Sequence, residues 1–253
     1  MVMRVERVRA KPEVRRGAGD PGFVRRVARH RRRGQRYLLR NDGFNLVIDF
    51  GTGVLANVQR YLPHERIVAI VVSHGHLDHC IDLYPLFVAG LFYGKPLPDL
   101  EQVLPPGVLD RIARLEDEDG VARAARELRL TRSRARPHLR DRPVPVPDQA
   151  APHLVPNMGM RITAGAATLG YTGDTGPSEE VEALARGADL LLAEASWVDG
   201  QEEGKPPIHL TARQAAEHAL RADVPHLVLS HFWPTNDASC PGPRPPRASK
   251  TGS

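Results

Sequence analysis

The chain has 253 residues, 41% of them hydrophobic and 26% charged, the composition of a globular protein large enough to bury a core without staples. Its longest apolar run, Tyr84 to Tyr93, is too short to span a bilayer, and its two cysteines, Cys80 and Cys240, exclude a disulfide-stapled scaffold. The net charge of +5 is unevenly spread: residues 1–36 carry 13 basic against 3 acidic side chains, residues 121–150 carry 8 against 3, and the other 187 sum to −10.

Residues 1–36, including the run Arg29 to Arg33, read as a basic, structureless N-terminus. No basic segment followed by an apolar one opens the chain, so a cytoplasmic protein with no membrane partner is expected. A hairpin is expected from Tyr37 to Arg40 and from Asn45 to Asp49, because Asp42-Gly43 suits a tight turn. Val54 to Leu62 reads as a short helix stopped by Pro63, and Ile67 to Val72 as a buried strand. Ser73 to His79 follows as a loop, Ile81 to Phe92 as a helix, and a helical stretch lies within 95–118. Residues 121–150 are Arg- and Pro-rich and read as irregular.

Order returns with a second hairpin, Met160 to Thr163 and Ala167 to Tyr171. Ser178 to Arg186 reads as a helix with Ser178 as its N-cap, Leu190 to Ala193 as a strand, Thr211 to Arg221 as a capped helix and Leu227 to Ser230 as a strand. The chain thus divides into the basic segment 1–36, a folded domain over 37–237 and a disordered tail over 238–253. The Arg- and Pro-rich segments also have the composition of a GC-rich gene read out of frame, with 31 arginines against 4 lysines overall. Hairpins followed by alternating strand and helix imply a layered α/β protein.

The strongest chemical signal is His74-Gly75-His76-Leu77-Asp78-His79, at the end of a predicted buried strand. Imidazole and carboxylate are ligands that Zn²⁺ takes, and this run can face two ions. Further ligands lie beside predicted strand ends at His153, Asp174 and His231. Asp49 is a candidate to hold the far nitrogen of a ligating histidine. Cys80 reads as a buried thiol, and His64, His138, His218 and His226 as structural.

These residues, in this order, resemble the metallo-β-lactamase superfamily. Leu46 to Gly51, Ser73 to His79, Tyr171 to Thr175, Ala193 to Ala195, His209 to Ala212 and Leu229 to Phe232 are similar to its ribonuclease Z-like and cyclic-nucleotide phosphodiesterase branch. The resemblance implies a four-layer αββα sandwich with a dinuclear metal site at the strand ends. It implies that His74, His76 and His153 hold one ion, that Asp78, His79 and His231 hold the other, and that Asp174 bridges both. The ions would be two divalent cations, Zn²⁺ first, with Mn²⁺ or Fe²⁺ accepted by the same donors. Asp78, His209 and Glu194 are the implied catalytic residues, His209 as proton donor and Glu194 as its partner. Family members are often dimers, so a homodimer is compatible with the resemblance.

The expected reaction is hydrolysis of a small phosphodiester such as a cyclic nucleotide, by a hydroxide bridging the two metals. The ribonuclease Z enzymes that the chain resembles can carry a tRNA-clamping arm between the third and fourth motifs; here only 20 residues separate His153 from Asp174, which leaves no room for it, and the folded part is acidic, which disfavours nucleic acid as a partner. The alternatives are tRNA 3′ processing, or thioester or lactone hydrolysis. A non-enzymatic nucleic-acid binder is disfavoured, because structural zinc is held by closed Cys-rich tetrahedra.

Overall fold

The computed structural model describes residues 4–7, 37–41, 44–92, 100–115, 155, 157–164 and 166–233. A five-stranded sheet has the order β1-β2-β3-β4-β5, with β1 Arg4–Arg7, β2 Tyr37–Asn41, β3 Phe44–Ile48, β4 Ala69–Val71 and β5 Glu101–Val103. A four-stranded sheet has the order β6-β7-β8-β9, with β6 Met160–Ala164, β7 Ala167–Tyr171, β8 Leu190–Glu194 and β9 Leu227–Ser230. Each sheet opens with antiparallel pairing and continues in parallel: β3, β4 and β5 run together, as do β7, β8 and β9.

Side-chain alternation along the strands builds the layers. Tyr37, Leu39, Leu46, Ile48, Ala69 and Val71 pack with Met160, Ile162, Leu169, Tyr171 and Leu192 in a core between the sheets. Leu38, Val47 and Ile70, one position out of step, point the other way into a second core. That core is closed by α1 Val54–Val58, α3 Leu83–Phe92 and α4 Val108–Ala113, while the one-turn helix α2 Leu77–Cys80 contributes Cys80. On the far side of the second sheet, α5 Glu179–Ala185 and α6 Ala212–Arg221 cover Leu191, Ala193, Leu227 and Leu229. Helix, sheet, sheet, helix is the αββα sandwich that was expected. Among the described residues no helix is long and apolar enough to cross a membrane.

Several expectations need correction. Within the segment read as structureless, Arg4–Arg7 forms β1, antiparallel to β2; edge pairing is made by the backbone and needs no hydrophobic alternation over four residues. The rest of 1–36, all of 121–150 and the tail over 238–253 lie outside the described residues. β5 was missed because three residues at the sheet edge, Glu101-Gln102-Val103, carry too little pattern. Ser73 to His79 is not all loop, since Leu77 begins α2. Ser178 stands at the N-cap of α5 but makes no capping hydrogen bond, whereas Thr211 caps α6 with a full capping box to Gln214.

Two glycines let backbones meet beneath the site. A Cβ on Gly51 would stand 1.4 Å from the carbonyl oxygen of Asp78, and one on Gly176 would stand 1.5 Å from that of Pro207. Phe50 N–H donates to His79 O at 2.6 Å, which ties the end of β3 to α2. Gly51→Ala is therefore expected to destabilise the fold by about 3 kcal/mol, the upper end for overpacking. A denaturant midpoint unchanged from the parent would contradict this.

Candidate metal centre

The chemistry-bearing side chains gather at the carboxyl ends of parallel strands. Asp49 follows β3, Ser73 and His74 lie just beyond β4, Asp174 follows β7, Glu194 ends β8 and His231 follows β9. Parallel strands that end together leave a crevice there, where α/β proteins bind ligands. Asp49 and His231 both take positive φ, 55° and 52°, a costly conformation for side-chain-bearing residues that turns each strand end sharply.

Six side chains converge in two adjoining sets. His74, His76 and Asp174 form the first, and Asp78, His79 and His231 the second. In the first, His74 Nε2 lies 3.0 Å from His76 Nδ1 and 3.7 Å from Asp174 Oδ2. In the second, His79 Nε2 and His231 Nε2 are 3.3 Å apart, and each is 3.5 Å from Asp78 Oδ2. Asp174 Oδ2 also lies 3.5 Å from His79 Nε2 and 3.4 Å from His231 Nε2, so one carboxylate reaches both sets. A four-coordinate ion about 2.0–2.1 Å from its ligands sets them about 3.3 Å apart, so the spacing suits such a cation.

The far ring nitrogens of His74, His79 and His231 are already engaged, which leaves their Nε2 atoms to face inward. His79 Nδ1 donates to Asp49 Oδ2 at 2.8 Å. His74 Nδ1 is 3.0 Å from Ser73 Oγ, which donates to the same Asp49 oxygen at 3.0 Å. Asp49, wholly buried, also accepts from the Ser73 amide at 2.7 Å and from the Tyr171 hydroxyl. The second sheet repeats the device: His231 Nδ1 is 2.6 Å from Ser196 Oγ, which donates to Glu194 Oε2 at 2.5 Å. Glu194 is equally buried, and its other oxygen accepts from His209 Nδ1 at 2.9 Å and from the Thr175 amide at 2.6 Å. Each sheet thus supplies one buried carboxylate and one serine that fix a histidine's tautomer. Ser196→Ala, which frees His231 Nδ1, is expected to weaken metal binding by about 10–100-fold, as outer contacts of ligands do. Calorimetric titration of the metal-free protein measures this, and unchanged affinity would contradict it.

Charge pairing dominates the electrostatics. Burial disfavours the Asp174 carboxylate, but His79, His231 and His74 around it hold its pKa well below the ordinary value. Burial likewise opposes a charged His79, yet Asp174 and Asp49 outweigh it and hold the ring well above the usual histidine pKa. His231 is raised despite burial by Asp174 and Asp78, and Asp78 is pulled down to about 2 against its own burial, by His231 and His79. His76 is lowered by burial, only partly opposed by Asp174. Protonation of His79 and His231 is thus favoured in the metal-free protein, and a cation competes with those protons. Metal affinity is expected to rise with pH from the ordinary histidine range, about pH 6.5, upward, with proton release seen by calorimetry in two buffers. An affinity that does not rise with pH would contradict this.

The model of the beta-lactamase superfamily domain matches residues 44–232, which include every site residue named above. The chain belongs to this superfamily. A Mycobacterium leprae protein named "Uncharacterized protein ML1173" is 34% identical over 205 residues, covering 78% of this chain and 71% of that protein. YhfI of Bacillus subtilis, named a probable metallo-hydrolase, is 29% identical over 199 residues, 78% of each chain. Its crystal structure shares the fold, with a TM-score of 0.64 over 91% of this chain and 86% of that one, at 23% identity. Ribonuclease Z of Mycolicibacterium gilvum is 28% identical over 257 residues, covering 87% of this chain and 83% of that protein. The chain is accordingly a metallo-β-lactamase-fold hydrolase related to ribonuclease Z.

The structure brings together His74, His76, Asp78, His79, Asp174 and His231, and sets Glu194 against His209. His153 lies outside the described residues, but Asn157, four positions on, forms a backbone bridge with His74. His209 also falls within ligand distance of Asp174 and His231, a third grouping that the sequence did not suggest. Cys80 is buried, and burial pushes its thiol up to about 11, as suits an inert core cysteine. Sequence reasoning overlooked Ser73, Ser196 and Tyr171. A hydroxyl beside a ligating histidine and two positions past a strand-end carboxylate was the available signal for the serines; Tyr171 offered none.

Proposed function

We propose that this hydrolase is a phosphodiesterase acting on a small phosphodiester such as a cyclic nucleotide. The observation that carries it is the His209–Glu194 pair beside the ligand cluster, with the His209 and His231 rings stacked 5.8 Å apart. An alkoxide leaves phosphorus only when it receives a proton, whereas a thiolate leaves a thioester without one. His209, its Nδ1 held by the Glu194 carboxylate, presents Nε2 as that donor, and Glu194 stabilises the imidazolium.

Divalent cations at the two ligand sets, Zn²⁺ first by donor type, would supply an ionised water and stabilise charge at phosphorus. His74, His76 and Asp174 would hold one, and Asp78, His79, His231 and Asp174 the other, with His153 the remaining ligand of the first. The relative named ribonuclease Z supports phosphodiester chemistry and keeps tRNA 3′ processing as the second reading. The acidic balance outside 1–36 and 121–150 favours the smaller substrate. The test is turnover of bis(p-nitrophenyl) phosphate by protein loaded with Zn²⁺ or Mn²⁺, with His76→Ala as control. Metal-dependent turnover lost in the variant is expected; its absence from fully loaded protein overturns the reading.

A further inference from the structure

Four large hydrophobic side chains are exposed among the described residues: Leu77, Leu115, Leu220 and Trp233. Trp233 stands at the site itself. β9 ends at Ser230, His231 turns into the ligand cluster, and two residues on the indole of Trp233 lies edge-on to His209, 5.9 Å between ring centres and 80° between planes. On another contact His209 meets Trp197 at 5.8 Å and 68°, but Trp197 is buried whereas Trp233 is 44% exposed. Lys205, itself exposed, sets its ammonium 5.4 Å from the Trp197 ring centre.

Trp197 is buried, whereas Trp233 meets His209 and leaves 44% of its surface in water. Leaving an indole half in water sacrifices burial, which a protein recovers where a ligand covers the ring. The ligand that reaches Trp233 is the one whose reacting phosphorus sits by His209, within a nucleoside's length. Every nucleobase has a π-face that stacks on an aromatic side chain. We propose that Trp233 seats the base of a cyclic mononucleotide substrate, at the mouth of the metal centre, with Lys205, whose ammonium lies over Trp197, as a cation for the sugar-phosphate. This rests on the phosphodiesterase reading and names its substrate as one that carries a base.

The test compares adenosine 5′-monophosphate with ribose 5-phosphate, which lacks the base, as ligands of the metal-loaded full chain. Calorimetry and quenching of tryptophan fluorescence measure the binding. The monophosphate is expected to bind between about fivefold and about a hundredfold more tightly, the span of one base–aromatic stack. Trp233→Ala and Trp233→Leu collapse that ratio, Trp233→Phe restores most of it, and Leu220→Ala, which removes an exposed apolar side chain elsewhere, leaves it intact. Equal affinity for the two ligands in the parent, or a ratio that survives Trp233→Leu, overturns the base seat while the phosphodiesterase reading stands. Binding of neither ligand overturns the base seat, and the phosphodiesterase reading falls only if the same metal-loaded protein also fails to turn over a cyclic nucleotide. An oligoribonucleotide that binds far more tightly than the monophosphate overturns the mononucleotide assignment.

Discussion

Asp174→Asn is expected to lower phosphodiester turnover by at least about 10²–10³-fold, the cost of removing a preorganised electrostatic group. Asp174 Oδ2 lies within 3.7 Å of His74 Nε2, 3.5 Å of His79 Nε2 and 3.4 Å of His231 Nε2, so one carboxylate serves both ligand sets. An amide keeps the shape but replaces a negative oxygen with a weaker ligand and a donor. Bound metal should fall from two equivalents towards one or none, and turnover should fall with it. Asp174 also raises the His79 pKa. The variant should therefore lower the His79 pKa, which nuclear magnetic resonance of the ring protons reads without any metal present. A variant that retained two equivalents and full turnover would remove Asp174 from the bridging position.

His209→Ala should separate proton donation from metal binding. General acid catalysis contributes about 10²–10⁴-fold, so hydrolysis of a cyclic nucleotide, which expels an alkoxide, should fall by that factor. Hydrolysis of bis(p-nitrophenyl) phosphate should fall less than about tenfold, because p-nitrophenolate leaves readily without a proton. Metal content should stay at the parent level. His209 also lies within ligand distance of Asp174 and His231, which makes the alternative concrete. A variant that lost metal and slowed both substrates equally would show His209 to be a ligand instead of an acid.

Legibility in the sequence followed local pattern. The hairpin of β2 and β3, the buried β4 and the capped α6 were readable because alternation, a β-branched run and a Thr211–Gln214 capping box are all local signals. β1 and β5 were not readable. Both are short sheet-edge strands whose pairing is made by the backbone, with little demand on side chains. The ligand cluster was legible because six residues carry three histidines and one aspartate, and few structural needs produce that. Asp174 and His231 gained meaning only from their strand ends. The relays through Ser73 and Ser196 were hidden because each joins residues of different strands, such as Ser73 with Asp49 and Ser196 with His231. Asp49 was inferable as an outer contact, but its link to Tyr171 joins the two sheets across the core and leaves no mark on spacing.

Two cations held by this cluster would drive the proposed phosphodiester cleavage. The most direct measurement titrates metal-free protein with Zn²⁺ while following both occupancy and hydrolysis of a cyclic nucleotide. Two equivalents should bind, with turnover appearing as the second set fills, and hydrolysis of a thioester or lactone should stay far slower. Full occupancy with rapid thioester or lactone hydrolysis and no phosphodiester turnover would show that the cluster serves acyl and not phosphoryl chemistry.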